Sequence, residues 1–167
     1  MKRALVAGCV LAAAAAALAG CGGSSNGGAA SEQSLQREAN LYQIDQIEQT
    51  WHKAASTHNI DLMMTIWAPN SSFTIGGQTA SGKSAVRAVL AAAGPFQPQN
   101  HWVSDTPAYK IRTTVNGDKG TLYFECHYID VKTGALTKVV GADQDVQKID
   151  GKWLITNSVA SSPTLKP

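Results

Sequence analysis

Residues 121–128 read Thr121-Leu122-Tyr123-Phe124-Glu125-Cys126-His127-Tyr128. Successive side chains of a strand point to opposite faces, so Leu122, Phe124, Cys126 and Tyr128 share one face and Tyr123, Glu125 and His127 share the other. Turn dipeptides bound this segment and its neighbours: Asn116-Gly117, Thr133-Gly134 and Asp150-Gly151. Asn-Gly and Asp-Gly supply the positive φ that tight hairpins require. The pattern therefore predicts an antiparallel meander with strands over 107–115, 119–131, 136–148 and 152–159, preceded by a strand near 101–104.

Upstream the apolar period changes from two to about 3.6. Ile44, Ile47, Trp51, Ala54, Ala55 and His58 form one stripe, which predicts a long helix ending near His58. Asn59 is placed to cap a short second helix carrying Leu62, Met63, Ile66 and Trp67, closed by Pro69. A brief strand over 72–75 follows. Ser81 opens a third helix through Ala85, Val86, Val89 and Leu90, and Gly94-Pro95 stops it. The helix stripe and the Leu122 to Tyr128 face must cover each other, because no other layer exists to bury them. The class is α+β.

The N-terminus carries a different message. Lys2 and Arg3 precede an uncharged, alanine-rich run from Ala4 to Ala19, the layout of a secretory signal peptide. The run ends in Leu18-Ala19-Gly20-Cys21, which matches the bacterial lipobox. Residues 1–20 are read as a lipoprotein signal, with cleavage before Cys21 and lipid on that cysteine. The two or three acyl chains this implies hold a protein stably to a membrane. Gly22 follows, not the aspartate that retains many lipoproteins in an inner membrane, so the expected location is the outer membrane or cell surface. Residues 21–34, rich in Gly, Ser, Ala and Asn, read as a lipidated flexible tether, and 35–162 as the domain.

Removal of residues 1–20 takes Lys2 and Arg3 from 14 basic residues, leaving twelve against 12 acidic ones. A neutral chain without a basic run lacks the electrostatic footprint of nucleic-acid binding. Cys9 leaves with the signal and Cys21 carries lipid, so Cys126 has no disulfide partner and reads as a small core residue.

Gly77-Gln78-Thr79-Ala80-Ser81-Gly82-Lys83-Ser84 satisfies the P-loop consensus. A P-loop works inside a parallel α/β sheet, whereas the residues that follow here read as hairpins, so no nucleotide is expected. His52 and His58 are six apart on one helix and point to different faces. Asp143 and Asp145 share a face with Gln147, which reads as solvated; Glu125 and His127 fall on the outer side of the sheet. Neither a metal nor a cofactor is expected.

Order and spacing together resemble the nuclear transport factor 2-like superfamily, particularly its SnoaL-like polyketide cyclase branch. Ile47 through Phe73, with Asp61 in the turn, looks like the family's opening. Gly77 with Gly82-Lys83-Ser84-Ala85-Val86 is similar to its glycine pair before the third helix. Asp150-Gly151-Lys152-Trp153-Leu154-Ile155 looks like its closing hairpin. The resemblance implies a cone of three N-terminal helices on a curved antiparallel sheet that leaves a cavity. It places Trp51, Trp67, Phe124 and Tyr128 in or near the cavity wall, with His101 as the main polar group and the candidate catalytic residue. The expected function is binding of a small, largely apolar molecule or an envelope partner. The alternative is an isomerase, dehydratase or cyclase-like enzyme using the cavity histidine for proton transfer. The family also implies a possible homodimer through the outer sheet face.

Overall fold

The structure is a computed structural model and describes residues 26–163. Residues 1–20, read above as a signal, and Cys21 lie outside the described residues. The elements run α1 (Asn26–Ser56), α2 (Ile60–Met64), β1 (Trp67–Ile75), β2 (Gln78–Ser81), α3 (Lys83–Ala92), β3 (Trp102–Asp105), β4 (Arg112–Asn116), β5 (Lys119–Asp130), β6 (Leu136–Ile149) and β7 (Lys152–Ser161).

Helix α1 starts within the stretch expected to be a tether. Residues 30–39 are nevertheless exposed throughout, and burial begins at Asn40. There the Asn40 Oδ1 accepts from Trp153 Nε1 at 3.3 Å and from Lys148 Nζ at 3.2 Å, fastening the helix to β7 and β6. Beyond it Ile44, Ile47, Trp51, Ala54 and Ala55 are buried, and full burial of a large apolar side chain contributes about 1.5–3 kcal/mol. The helix ends at Ser56, with His58 in the left-handed region at φ 54°. Asn59 then caps α2, its side chain accepting from Leu62 N at 2.8 Å.

Trp67, expected on the second helix, instead opens β1. Pro69 explains the difference. A residue before proline is pushed to extended backbone, and proline within a sheet is confined to edges and bulges. It sits where the β1–β7 register shifts between Trp67 and Ser72. The next hairpin was not anticipated: Gly76 and Gly77, at φ 59° and 78°, make the tight turn into β2.

The strands form one sheet in the order β2-β1-β7-β6-β5-β3, with β4 also on β5. Every pair is antiparallel except β1 with β7. The meander thus forms as its turns predict, except that its first strand begins at Arg112 after a single 3-10 turn at Ala108–Lys110, and two strands from the helical half, β1 and β2, extend the sheet. Register shifts at Tyr128/Ile129 and Asp145/Val146 bend the long strands. The result is a curved, unclosed sheet with the helices in its concave side. Leu122, Phe124, Cys126 and Tyr128 face the helices and are buried.

Candidate functional site

At one end of the concave face the layers separate and leave a cavity of about 270 Å³. Trp51 of α1, Val89 and Leu90 of α3, and Trp102 of β3 form part of its wall. The sheet supplies Cys126 and Tyr128 from β5, Lys138, Val140 and Ala142 from β6, and Ala160 from β7. Side-chain size explains the space. Ala142 pairs with Ala160, and Cys126 with Val140, so two adjacent rungs carry small residues where larger ones would fill the gap.

The segment after α3 closes another side with Gly94, Pro95 and Phe96. Its carbonyls are held individually, Pro95 O accepting from His58 Nδ1 and Gly94 O from Asn100 Nδ2, and Gln97 Nε2 ties the segment back to α3 by donating to Ala91 O at 2.6 Å. A Cβ on Gly94 would lie 3.0 Å from the Trp102 ring, so any side chain at that position would press on the tryptophan in the wall.

Electrically the interior is quiet. Burial pushes the Cys126 thiol up to about 12 and the Tyr128 phenol well above its ordinary value. Both are neutral at physiological pH, and a buried neutral thiol is a poor nucleophile. Lys138 is the one charged side chain among the described residues lining the cavity.

The next rung inward is polar. Gln144 pairs with Ser158 directly beyond Ala142 and Ala160, and Ser71 lies on neighbouring β1. The Gln144 amide oxygen and nitrogen, the Ser71 and Ser158 hydroxyls and the Trp67 indole N–H are all buried without a hydrogen-bond partner. An unsatisfied buried polar group costs about 1–3 kcal/mol. Sequence reasoning missed Gln144, although its place in the alternation Val140, Ala142, Gln144, Val146 marks it as inward.

Of the expected cavity residues, Trp51 and Tyr128 line the space. Trp67 and Phe124 are fully buried behind Trp51, their rings 5.8 and 5.6 Å from it, and belong to the packed core. His101 lies outside the lining, one residue before Trp102. Its Nε2 is 2.8 Å from Asp130 Oδ2, and its side chain is 38% exposed. Asp130 is the carboxylate partner that sequence reasoning had not found for His101. Its Oδ1 accepts the amides of Lys132 at 2.8 Å and Thr133 at 3.0 Å. The Thr133 amide, then that of Lys132 and the His101 ring, hold its pKa below the usual carboxylate value despite desolvation. An Asx-type turn led by aspartate was the available signal.

Two further carboxylate–histidine pairs occur. Glu48 Oε1 is 3.1 Å from His52 Nε2 in the seam between α1 and the sheet. The Ser104 hydroxyl lies 2.7 Å from His52 Nδ1, and Thr106 Oγ1 contacts Nε2. Thr106 donates its proton to Glu125 O at 2.9 Å, so its oxygen accepts, and Nε2 is the donor in the neutral ring. On the outer face, as expected, are Glu125 and His127, 3.3 Å apart. Glu125 is buried there beneath Tyr123, Lys110 and His127. Burial raises its pKa, but hydrogen bonds from His127, Tyr123 and Lys110 outweigh that and lower it. Asp143 and Asp145 are exposed. No His, Cys, Asp or Glu cluster among the described residues is arranged to hold a metal.

The P-loop consensus is spread over strand β2 and the first turn of α3. Lys83 Nζ donates to Trp67 O at 2.9 Å, a backbone contact that ties α3 to β1.

No protein-family model matches the sequence, and no curated protein matches it. Solved structures do. The chain is similar to a nuclear transport factor 2-like protein of unknown function from Pseudomonas putida KT2440, at 17% identity over 78% of this chain and 98% of that one, TM-score 0.67. It is similar to a nuclear transport factor 2-like protein with a cystatin-like fold from Novosphingobium aromaticivorans, at 15% identity over 86% and 92% of the two chains, TM-score 0.63. A Streptomyces avermitilis protein provisionally named a dehydratase of the nuclear transport factor 2-like family matches at 12% identity over 77% and 99%, TM-score 0.63. The likeness is one of fold: the chain has the nuclear transport factor 2-like, cystatin-like fold.

Proposed function

We propose that this chain is a membrane-anchored lipoprotein whose exported domain, about residues 35–162, binds a small, largely apolar molecule in the cavity without catalysis. The observation that carries the reading is the wall itself. It combines aromatic and small aliphatic side chains with a thiol and a phenol that both stay neutral. Apolar walls with few polar groups suit small hydrophobic ligands, and pockets of this kind run from roughly 300 to 1,000 Å³. At about 270 Å³ the cavity lies just below that range. Native mass spectrometry of the tag-free domain from about Ser31 should reveal a retained ligand. Absence of ligand, with no tryptophan response to any apolar probe, would overturn the reading.

Anchoring rests on Leu18-Ala19-Gly20-Cys21. Cys21→Ser should stop acylation and cleavage, so that the full precursor accumulates without lipid mass; a normally processed, acylated mutant would overturn it. A location at the outer membrane or cell surface rests on Gly22.

A second reading has its own observation. The His101–Asp130 pair at 2.8 Å supplies a histidine oriented by a carboxylate, the arrangement of a general acid or base. Asp130→Asn would then remove turnover of an isomerase, dehydratase or cyclase-like reaction without closing the cavity. Binding is preferred because His101 lies outside the lining and no acid faces the space among the described residues.

A further inference from the structure

Lys138 is an anomaly in an otherwise uncharged wall. It is exposed, and its Nζ makes no hydrogen bond or ion pair among the described residues. Its direction is set by the sheet. Lys138 pairs with Tyr128, while Leu136 pairs with the next residue, Ile129, so Thr137 is an extra residue in β6. The bulge therefore ends the regular pairing just before Lys138, and Thr137 Oγ1 fastens that end by donating to Tyr128 O at 2.8 Å. From Lys138 onward the register is unbroken, so alternation puts Lys138 on the inward face with Val140 and Ala142, opposite Tyr128, at the end of the cavity where the wall reaches solvent.

We infer that the cavity takes a single-chain anionic amphiphile of the fatty-acid class, its tail over Val140 and Ala142 and its carboxylate at Lys138. This rests on the proposed binding function and names its ligand class. Charge decides the headgroup. A carboxylate there gains a charge-assisted hydrogen bond from an ammonium that is otherwise free, a neutral head gains less, and a cationic head is repelled. Size decides the tail. A volume of about 270 Å³ lies just under the lower limit, roughly 300 Å³, of pockets that enclose drug-sized ligands, so one short chain fits and a two-chain lipid does not. Lysine suits this position because its aliphatic stem lies along apolar surface while the ammonium stays in water.

The test is titration of the full-length chain with decanoate, decanol and decylamine at pH 8, below their aggregation limits, followed by tryptophan fluorescence. Trp51 and Trp102 line the cavity and report occupancy. Decanoate should bind about fivefold more tightly than decanol, the scale of a solvent-accessible charge pair, and decylamine most weakly. Lys138→Met should erase the decanoate preference while preserving decanol binding, Lys138→Arg should restore it, and Lys138→Glu should shift preference to decylamine. An unchanged decanoate-to-decanol ratio in Lys138→Met, or decanol binding at least as tightly as decanoate in the wild type, would overturn the inference while leaving an apolar binding cavity. A response to none of the three would overturn the underlying function as well.

Discussion

His101 and Asp130 close the outer end of the sheet: Nε2 of the histidine stands 2.8 Å from Oδ2 of the aspartate, whose other oxygen orders the β5–β6 turn. Because the Asp130 pKa is lowered in the fold from its ordinary 3.8, the carboxylate stabilises the native state above that value. The contribution disappears as pH falls through the depressed folded value. Wild type should therefore exceed Asp130→Asn in urea stability at pH 6, with the gap narrowing as pH falls below about 4. A gap that stays constant through that range would show that the ionised form is not what matters.

Gln144 buries both ends of its amide without a partner. Replacing it with methionine, of similar length, removes two desolvated groups and should raise unfolding free energy by about 1–2 kcal/mol. Denaturant melts measure this directly. Destabilisation of similar size would mean that the amide is satisfied in solution.

Lys83 has a structural bond to the Trp67 carbonyl. Lys83→Ala leaves that buried-end carbonyl short of a donor and should cost about 1–2 kcal/mol. The same variant should show no lost affinity for ATP, since the lysine is committed to backbone. Magnesium-dependent ATP binding by the wild type that Lys83→Ala abolishes would reverse this assignment.

Cys126 lines the cavity with its thiol pushed up to about 12 by burial. With Cys9 and Cys21 replaced by serine, it should react with a disulfide reagent at pH 8 at least about a hundredfold more slowly than in the unfolded chain, because so little thiolate exists. An occupying ligand should slow it further. Equal rates in the folded and unfolded chain would contradict both the burial and the shift.

How much of this was legible beforehand depended on the range of the cause. Residues 121–128 alternate because a pleat does, and Asn116-Gly117 and Asp150-Gly151 turn because of their own backbone preferences, so the meander and its inward face could be read locally. The helical stripe through Ile44, Ile47 and Trp51 was legible for the same reason. Trp67 was misplaced because Pro69 and strand pairing with Ile155, 88 positions away, together outweighed a short helical pattern.

The sequence by itself determined the alternating strand, the amphipathic helix, the turn positions and therefore the α+β layering, since each follows from residues within a few positions of one another. Only the tertiary structure decided which polar groups meet and where space remains. His101 finds Asp130 through the β3–β5 register, His52 finds Ser104 across the helix–sheet seam, and Lys138 joins the cavity wall opposite Tyr128 through the β5–β6 register. Such placements depend on strand register and sheet curvature. A shift of one residue turns every side chain to the opposite face, and no local pattern in the chain fixes that choice.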